Sequence, residues 1–197
     1  SGAAGAGESG PGAEEAGAVQ QSVLEAEALT EHRSARVEID MSYFQDLSPC
    51  SYFGRWEESL LAVGWLDSEH AFTKGAVGED FFAGLIRLCM QPWQPAVFAG
   101  RHPCPFCRFT GGHGGVTYQG MTVSIGAENV FVPGLERVFV APTMIAHYID
   151  AHEYVPPQVF QEAVLRCPEM RSMAYLKAVK ALGLKRERAI DAGPESP

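Results

Sequence analysis

Two short motifs constrain this chain more than anything else in it. One is Cys104-Pro105-Phe106-Cys107; the other is the segment His147-Tyr-Ile-Asp-Ala-His152. Together they offer two thiolates and two imidazoles, the ligand set of a closed tetrahedral zinc site. The Cys-x2-Cys spacing is that of a metal knuckle, and His-x4-His lies within the spacings used by finger-type histidine pairs. A closed site of this kind builds a fold, whereas an open one does chemistry. We therefore expect zinc on Cys104, Cys107, His147 and His152, clamping a loop of about 40 residues and adding its binding free energy to folding.

One geometric point stands against the set. Residues five apart on an ideal helix lie about 140° apart around its axis. Both imidazoles reach one ion only where the helix end tightens or unwinds. His152 falls just before Pro156-Pro157, so it sits at such an end. His102 and His113 are the alternatives for one of the helix histidines, each otherwise an ordinary loop residue.

Two chemical alternatives use the same residues. Cys-Pro-Phe-Cys-Arg resembles the Cys-Pro-Tyr-Cys active site of glutaredoxins, in which the second cysteine leads into a helix that lowers the thiol pKa. Here Thr110-Gly-Gly-His-Gly-Gly115 follows and breaks any helix. A catalytic zinc needs an open position and a nearby base; Asp150 and Glu153 flank the histidines, which would make the protein a hydrolase. His-x4-His is not the His-Glu-x-x-His spacing, however, and four ligands leave no vacancy. The zinc deaminase pattern fits only in its second half, Pro103-Cys104-x-x-Cys107, because His70 is followed by Ala71-Phe72. The glycine turn lacks a Gly-Lys-Ser/Thr ending and is no phosphate loop, and no Gly-x-Ser-x-Gly occurs.

Composition narrows the function classes. The net charge of −9 is concentrated in residues 1–40, where eight acidic residues face Arg33 and Arg36 and leave a balance of −6. An acidic chain repels the phosphate backbone, so nucleic acid is not an expected partner. The basic run Arg171, Lys177, Lys180, Lys185, Arg186, Arg188 reads as a solvated face. No apolar run approaches the roughly 18–20 residues that cross a bilayer, and no signal peptide is visible. The five cysteines are too scattered for a disulfide framework. Cys50, Cys89 and Cys167 read as small buried hydrophobes, which fits a reducing, cytoplasmic setting.

The predicted organisation is a disordered acidic tail over residues 1–36, a single zinc-binding α+β domain over 37–184 and a frayed tail over 185–197. Residues 19–32 allow a weak helix. Strands are expected at 37–41, 96–99, 116–118, 121–125, 129–132 and 137–140, the last five forming a small antiparallel meander. The aromatic stretch 43–65 reads as core and lid. A helix begins near Glu79 and ends before Pro92. After the meander come a helix opening with Pro142 at its first position, a second from Gln158 to Arg166, and a third over 170–184 with Met173, Leu176, Val179 and Leu182 on its apolar stripe.

Three phrases taken together, Val63-Gly-Trp-Leu66, Gly100-Arg-His-Pro-Cys-Pro-Phe-Cys107 and Val140-Ala-Pro-Thr-Met-Ile-Ala-His-Tyr-Ile-Asp-Ala-His-x-Tyr-x-Pro-Pro-x-x-Phe160, resemble small bacterial proteins with a Cys-x-x-Cys knuckle and a His-Tyr…His-x-Tyr-x-Pro-Pro segment. The resemblance spans about residues 52–167. It implies a compact metal-binding domain and carries no activity with it. The expectation is thus a non-enzymatic, zinc-stabilised interaction or regulatory protein whose partner is another protein, with a zinc hydrolase second and a thiol oxidoreductase third.

Overall fold

The computed structural model describes Gly2 and residues 43–95, 103–107 and 114–185. The chain divides into residues 1–38 and 39–197, and every described element lies in the second unit. The strands expected at 37–41 and 96–99, the weak helix at 19–32, His102, His113, Arg186 and Arg188 fall outside the described residues.

The fold is α+β. Its strands are β1 (Leu60–Ala62), β2 (Gly115–Tyr118), β3 (Met121–Ser124), β4 (Asn129–Pro133) and β5 (Val138–Pro142). Its helices are α1 (Glu79–Met90), α2 (Ile145–His152), α3 (Gln158–Arg166) and α4 (Met173–Ala181), and a 3-10 segment covers Ser51–Ser59. One helix precedes the strands β2–β5 and three follow them.

The strands form two sheets where one meander was expected. β2 and β3 make a separate hairpin closed by Gln119 and Gly120, both at positive φ (49° and 78°). Two left-handed residues in a two-residue loop match the right-handed twist of the flanking strands. β4 and β5 pair antiparallel, and β1 adds itself parallel to β5, with Leu60 opposite Val138 and Ala62 opposite Val140. β1 comes from the aromatic stretch and is three residues long, too short to announce itself by alternation.

The central sheet is covered on both faces, which is why β4 and β5 read as continuous apolar runs. Alternate side chains serve different cores. Val130, Val132, Phe139 and Ala141 face a core completed by α1, α2, α3 and the β2–β3 hairpin. Phe131, Val138 and Val140 face a second core made with Phe53, Trp56, Trp65, Trp93 and α4. Burying a side chain such as Phe131 contributes about 1.5–3 kcal/mol.

Two helices differ from expectation. Pro142 is the last residue of β5, in register with Asn129, because Thr143 N–H donates to Glu128 O at 2.8 Å and carries the ladder past it. Helix α2 therefore starts three residues later. Helix α4 begins only at Met173, where the Ser172 side chain caps Tyr175 N–H at 3.1 Å. Arg171 just before it is left-handed (φ 65°) and stops any earlier start. The buried face of α4 is Tyr175 and Val179, while Met173 is 69% exposed. Tyr175 wins that position because its hydroxyl donates to Phe131 O at 2.8 Å. No helix among the described residues is long and apolar enough to cross a membrane.

Candidate metal centre

The knuckle is a turn. Pro105 and Phe106 reverse the chain, and Phe106 N–H donates to Cys104 Sγ at 3.4 Å. The Phe106 ring then packs against Phe72, Tyr148 and His152, with centroids 5.3, 5.7 and 5.1 Å away. These contacts fix the turn against α2.

The histidines are set by the way α2 ends. The Tyr148 carbonyl accepts from Glu153 N–H, five residues on, and from Tyr154 N–H at 3.0 Å, six residues on. A turn closed this way holds more residues than an α-turn, so five residues come nearer to one full revolution. That removes the 140° objection: the His147 and His152 ring centroids lie 5.0 Å apart. Beyond the helix, Glu153 adopts φ 59°. A left-handed non-glycine residue costs of order 1–3 kcal/mol and persists only where its surroundings hold it. Here Gly75 N–H donates to Glu153 O and Val155 N–H to Thr73 O, both at 2.9 Å. Tyr154, wholly buried, donates its hydroxyl to both Asp46 oxygens at 2.8 and 2.9 Å, and Gly64 N–H donates to the same carboxylate at 2.9 Å.

The four expected residues come together. Cys104 Sγ lies 3.2 Å from His152 Nε2, and Cys107 Sγ lies 3.2 Å from His147 Nε2 and 3.5 Å from His152 Nε2. All four ligand atoms fall within 4.8 Å of one another, so the group could hold a metal ion. Zinc bonds of about 2.3 Å to sulfur and about 2.0–2.1 Å to nitrogen imply tetrahedral edges of about 3.6 Å between S and N and about 3.3 Å between the nitrogens. The observed S···N separations are close to those edges, so the residues fit such an ion. Asp150 and Glu153 are exposed and do not belong to the cluster. Cys104 is buried, whereas Cys107 and both histidines are half-buried.

The electrostatics of the cluster favour the same ligand forms. Burial lowers the pKa of His147, helped by His152, and lowers that of His152, helped by Lys74. Both shifts favour the neutral imidazole, the form that binds metal. Burial raises the Cys104 thiol, opposed by the Phe106 and Cys107 amides. A cation among these atoms supplies the positive charge that stabilises the thiolates.

The other cysteines do not join the cluster. Cys50 and Cys89 are buried as expected, at 0% and 1% exposure. Cys167 is only half-buried, at the C-terminal end of α3. His70 instead bonds Asp67 through Nδ1 at 2.9 Å and stacks on Tyr43. Sequence reasoning missed Asp46, Phe72 and Lys74 as supports of the site. Tyr154 had a visible signal, its place in the His-x-Tyr phrase. Asp46, 108 residues before Tyr154, had none.

A family model described as a domain of unknown function, DUF7919, matches residues 42–165. That span holds all four residues of the cluster. No curated protein and no solved structure matches the chain.

Proposed function

We propose that this chain, which belongs to the DUF7919 family, is a non-enzymatic interaction or regulatory module stabilised by one structural zinc ion. Cys104, Cys107, His147 and His152 would hold the ion. Two thiolates with two imidazoles in a tetrahedral arrangement select zinc over harder, oxygen-seeking cations. The carrying observation is that four ligand atoms from two segments, with Cys107 and His147 40 residues apart, converge within 4.8 Å of one another, three of their S···N separations being 3.2–3.5 Å. Four protein ligands fill a tetrahedral shell, and no carboxylate among the described residues belongs to the cluster, which supports a structural role over hydrolysis. The partner we infer is another protein. The five free cysteines support a reducing compartment, and we place the protein in the cytoplasm on that ground.

Metal analysis and cobalt substitution test this reading. The expected result is one zinc per chain, replaceable by cobalt with the spectrum of a four-coordinate S2N2 site. A cobalt spectrum showing a bound water, or uptake unaffected by Cys104→Ser and His147→Ala, would refute it.

A further inference from the structure

The cysteine chemistry of this chain is divided in an unusual way. Cys50 and Cys89 are shut inside the cores, and Cys167 stands alone at the end of α3. Burial pushes all three thiols up to about 12, which leaves them protonated and unreactive at neutral pH. Only Cys104 and Cys107 lie beside each other, with Sγ atoms within 4.8 Å across a two-residue turn. To form a disulfide they need to close by less than about 3 Å, to the S–S length of about 2.05 Å. A bound metal would keep the two sulfurs deprotonated and make them the chain's stock of thiolate. Cys107 is half-buried and open to a small oxidant, whereas Cys104 is buried, with the Phe106 amide on its sulfur.

We propose that Cys104 and Cys107 are a peroxide-reactive pair in which a disulfide and a bound metal ion exclude one another. This rests on the metal reading above. The Cys107 thiolate attacks the outer oxygen of a hydroperoxide and the O–O bond breaks. Cys107 becomes a sulfenic acid, and the departing alkoxide or hydroxide takes one proton. The Cys104 thiolate then attacks Cys107 sulfur; the S–S bond forms, and hydroxide leaves and takes a second proton to become water. Two thiolates, one hydroperoxide and two protons thus yield one disulfide, one alcohol (or water) and one water. The ion loses both sulfur ligands and keeps two imidazoles, too few to retain it. Its release unties the 103–107 turn from α2. The core around Phe53, Trp56 and Trp65 holds none of the four ligands and stays intact. The Cys-Pro-Phe-Cys motif is then a switch on an interaction module, where the sequence alone allowed an oxidoreductase.

The test is stoichiometric hydrogen peroxide on zinc-loaded protein, with released zinc read by a chromogenic chelator, thiols counted, and peptides mapped by mass. The proposal expects one zinc released per two thiols lost, a Cys104–Cys107 disulfide lighter by two hydrogens, and recovery of both with dithiol and zinc. Cys167→Ser should behave as the parent, and Cys107→Ser should slow thiol loss at least about tenfold. Three results overturn it: zinc retained while other cysteines oxidise, sulfinic acids at Cys104 and Cys107 without a disulfide, or zinc lost with all thiols intact. Zinc uptake is measured first. A chain that takes up no zinc refutes the metal reading and the exclusion with it, and the same mapping on that metal-free chain then decides the disulfide alone.

Discussion

Chelation should lower the melting temperature without unfolding the protein at room temperature. A ligand that binds only the folded state stabilises it by RT ln(1 + [M]/Kd), which is about 4 kcal/mol at a thousandfold excess over Kd. The cluster is preorganised: three S···N separations already lie at 3.2–3.5 Å, so little binding energy goes into ordering ligands. For a unit the size of residues 39–197, each kcal/mol moves the midpoint by about 2–4 °C. Full zinc loading against complete chelation should therefore differ by about 8–16 °C. Each tenfold step in free zinc adds about 1.4 kcal/mol, or roughly 3–6 °C. The assay is a thermal melt followed by circular dichroism in metal buffers spanning several decades of free zinc. Cys104→Ser and His147→Ala should flatten the dependence. A midpoint indifferent to zinc would refute the linkage, and so would a Cys104→Ser variant that keeps the full slope.

Three further outcomes follow from the same geometry. Tyr154→Phe removes a donor to both oxygens of the part-buried Asp46 and should cost about 1.5–3 kcal/mol in urea unfolding; Tyr148→Phe, whose hydroxyl has no partner among the described residues, should cost little or stabilise. Glu153→Gly keeps the φ of 59° without strain and should raise stability by about 1 kcal/mol with zinc affinity unchanged, so a loss of stability would count against the capping role. In metal-free protein the folded pKa values of His147 and His152 lie below the ordinary 6.5, so the unfolded chain binds more protons near and below that value. Their contribution is complete above pH 6.5 and is lost as pH falls; melts of the chelated protein between pH 5 and 8 should show the midpoint rising with pH over this window.

The site was more legible in the sequence than the fold around it. Residue type and spacing are local, so Cys104, Cys107, His147 and His152 could be read directly as one cluster able to hold a metal. Helix α3 was also visible in full, because Pro156-Pro157 marks its start and its amphipathic period is regular. The sheet was harder. β1 is three residues long and gains its identity only by lying parallel to β5, 78 positions away from Leu60 to Val138, and no local period encodes such a partner. Pro142 read as a helix starter because proline at a first helical position and proline at a strand end look alike in one dimension. The Thr143–Glu128 hydrogen bond decides between them, and it is a long-range fact.

The unusual spacing of the histidines and the strain beside them have one physical cause. An α-helix carried straight through His152 would point the two imidazoles about 140° apart. The chain instead closes its last turn wide on the Tyr148 carbonyl, and Glu153 must then turn left-handed to leave the helix. That backbone is held by the Thr73–Gly75 segment on one side and by Asp46 through Tyr154 on the other. None of these supports belongs to the four-residue cluster, and all act through backbone hydrogen bonds or through the buried Tyr154 and part-buried Asp46 side chains. The half of the site on α2 is thus built by the fold before any ion arrives. The other half, residues 103–107, is held to α2 by Phe106 packing and by the cluster itself. A metal bound here would therefore stabilise the two halves unequally: its loss, by chelation, acid or oxidation, should loosen the knuckle first and leave α2 in place.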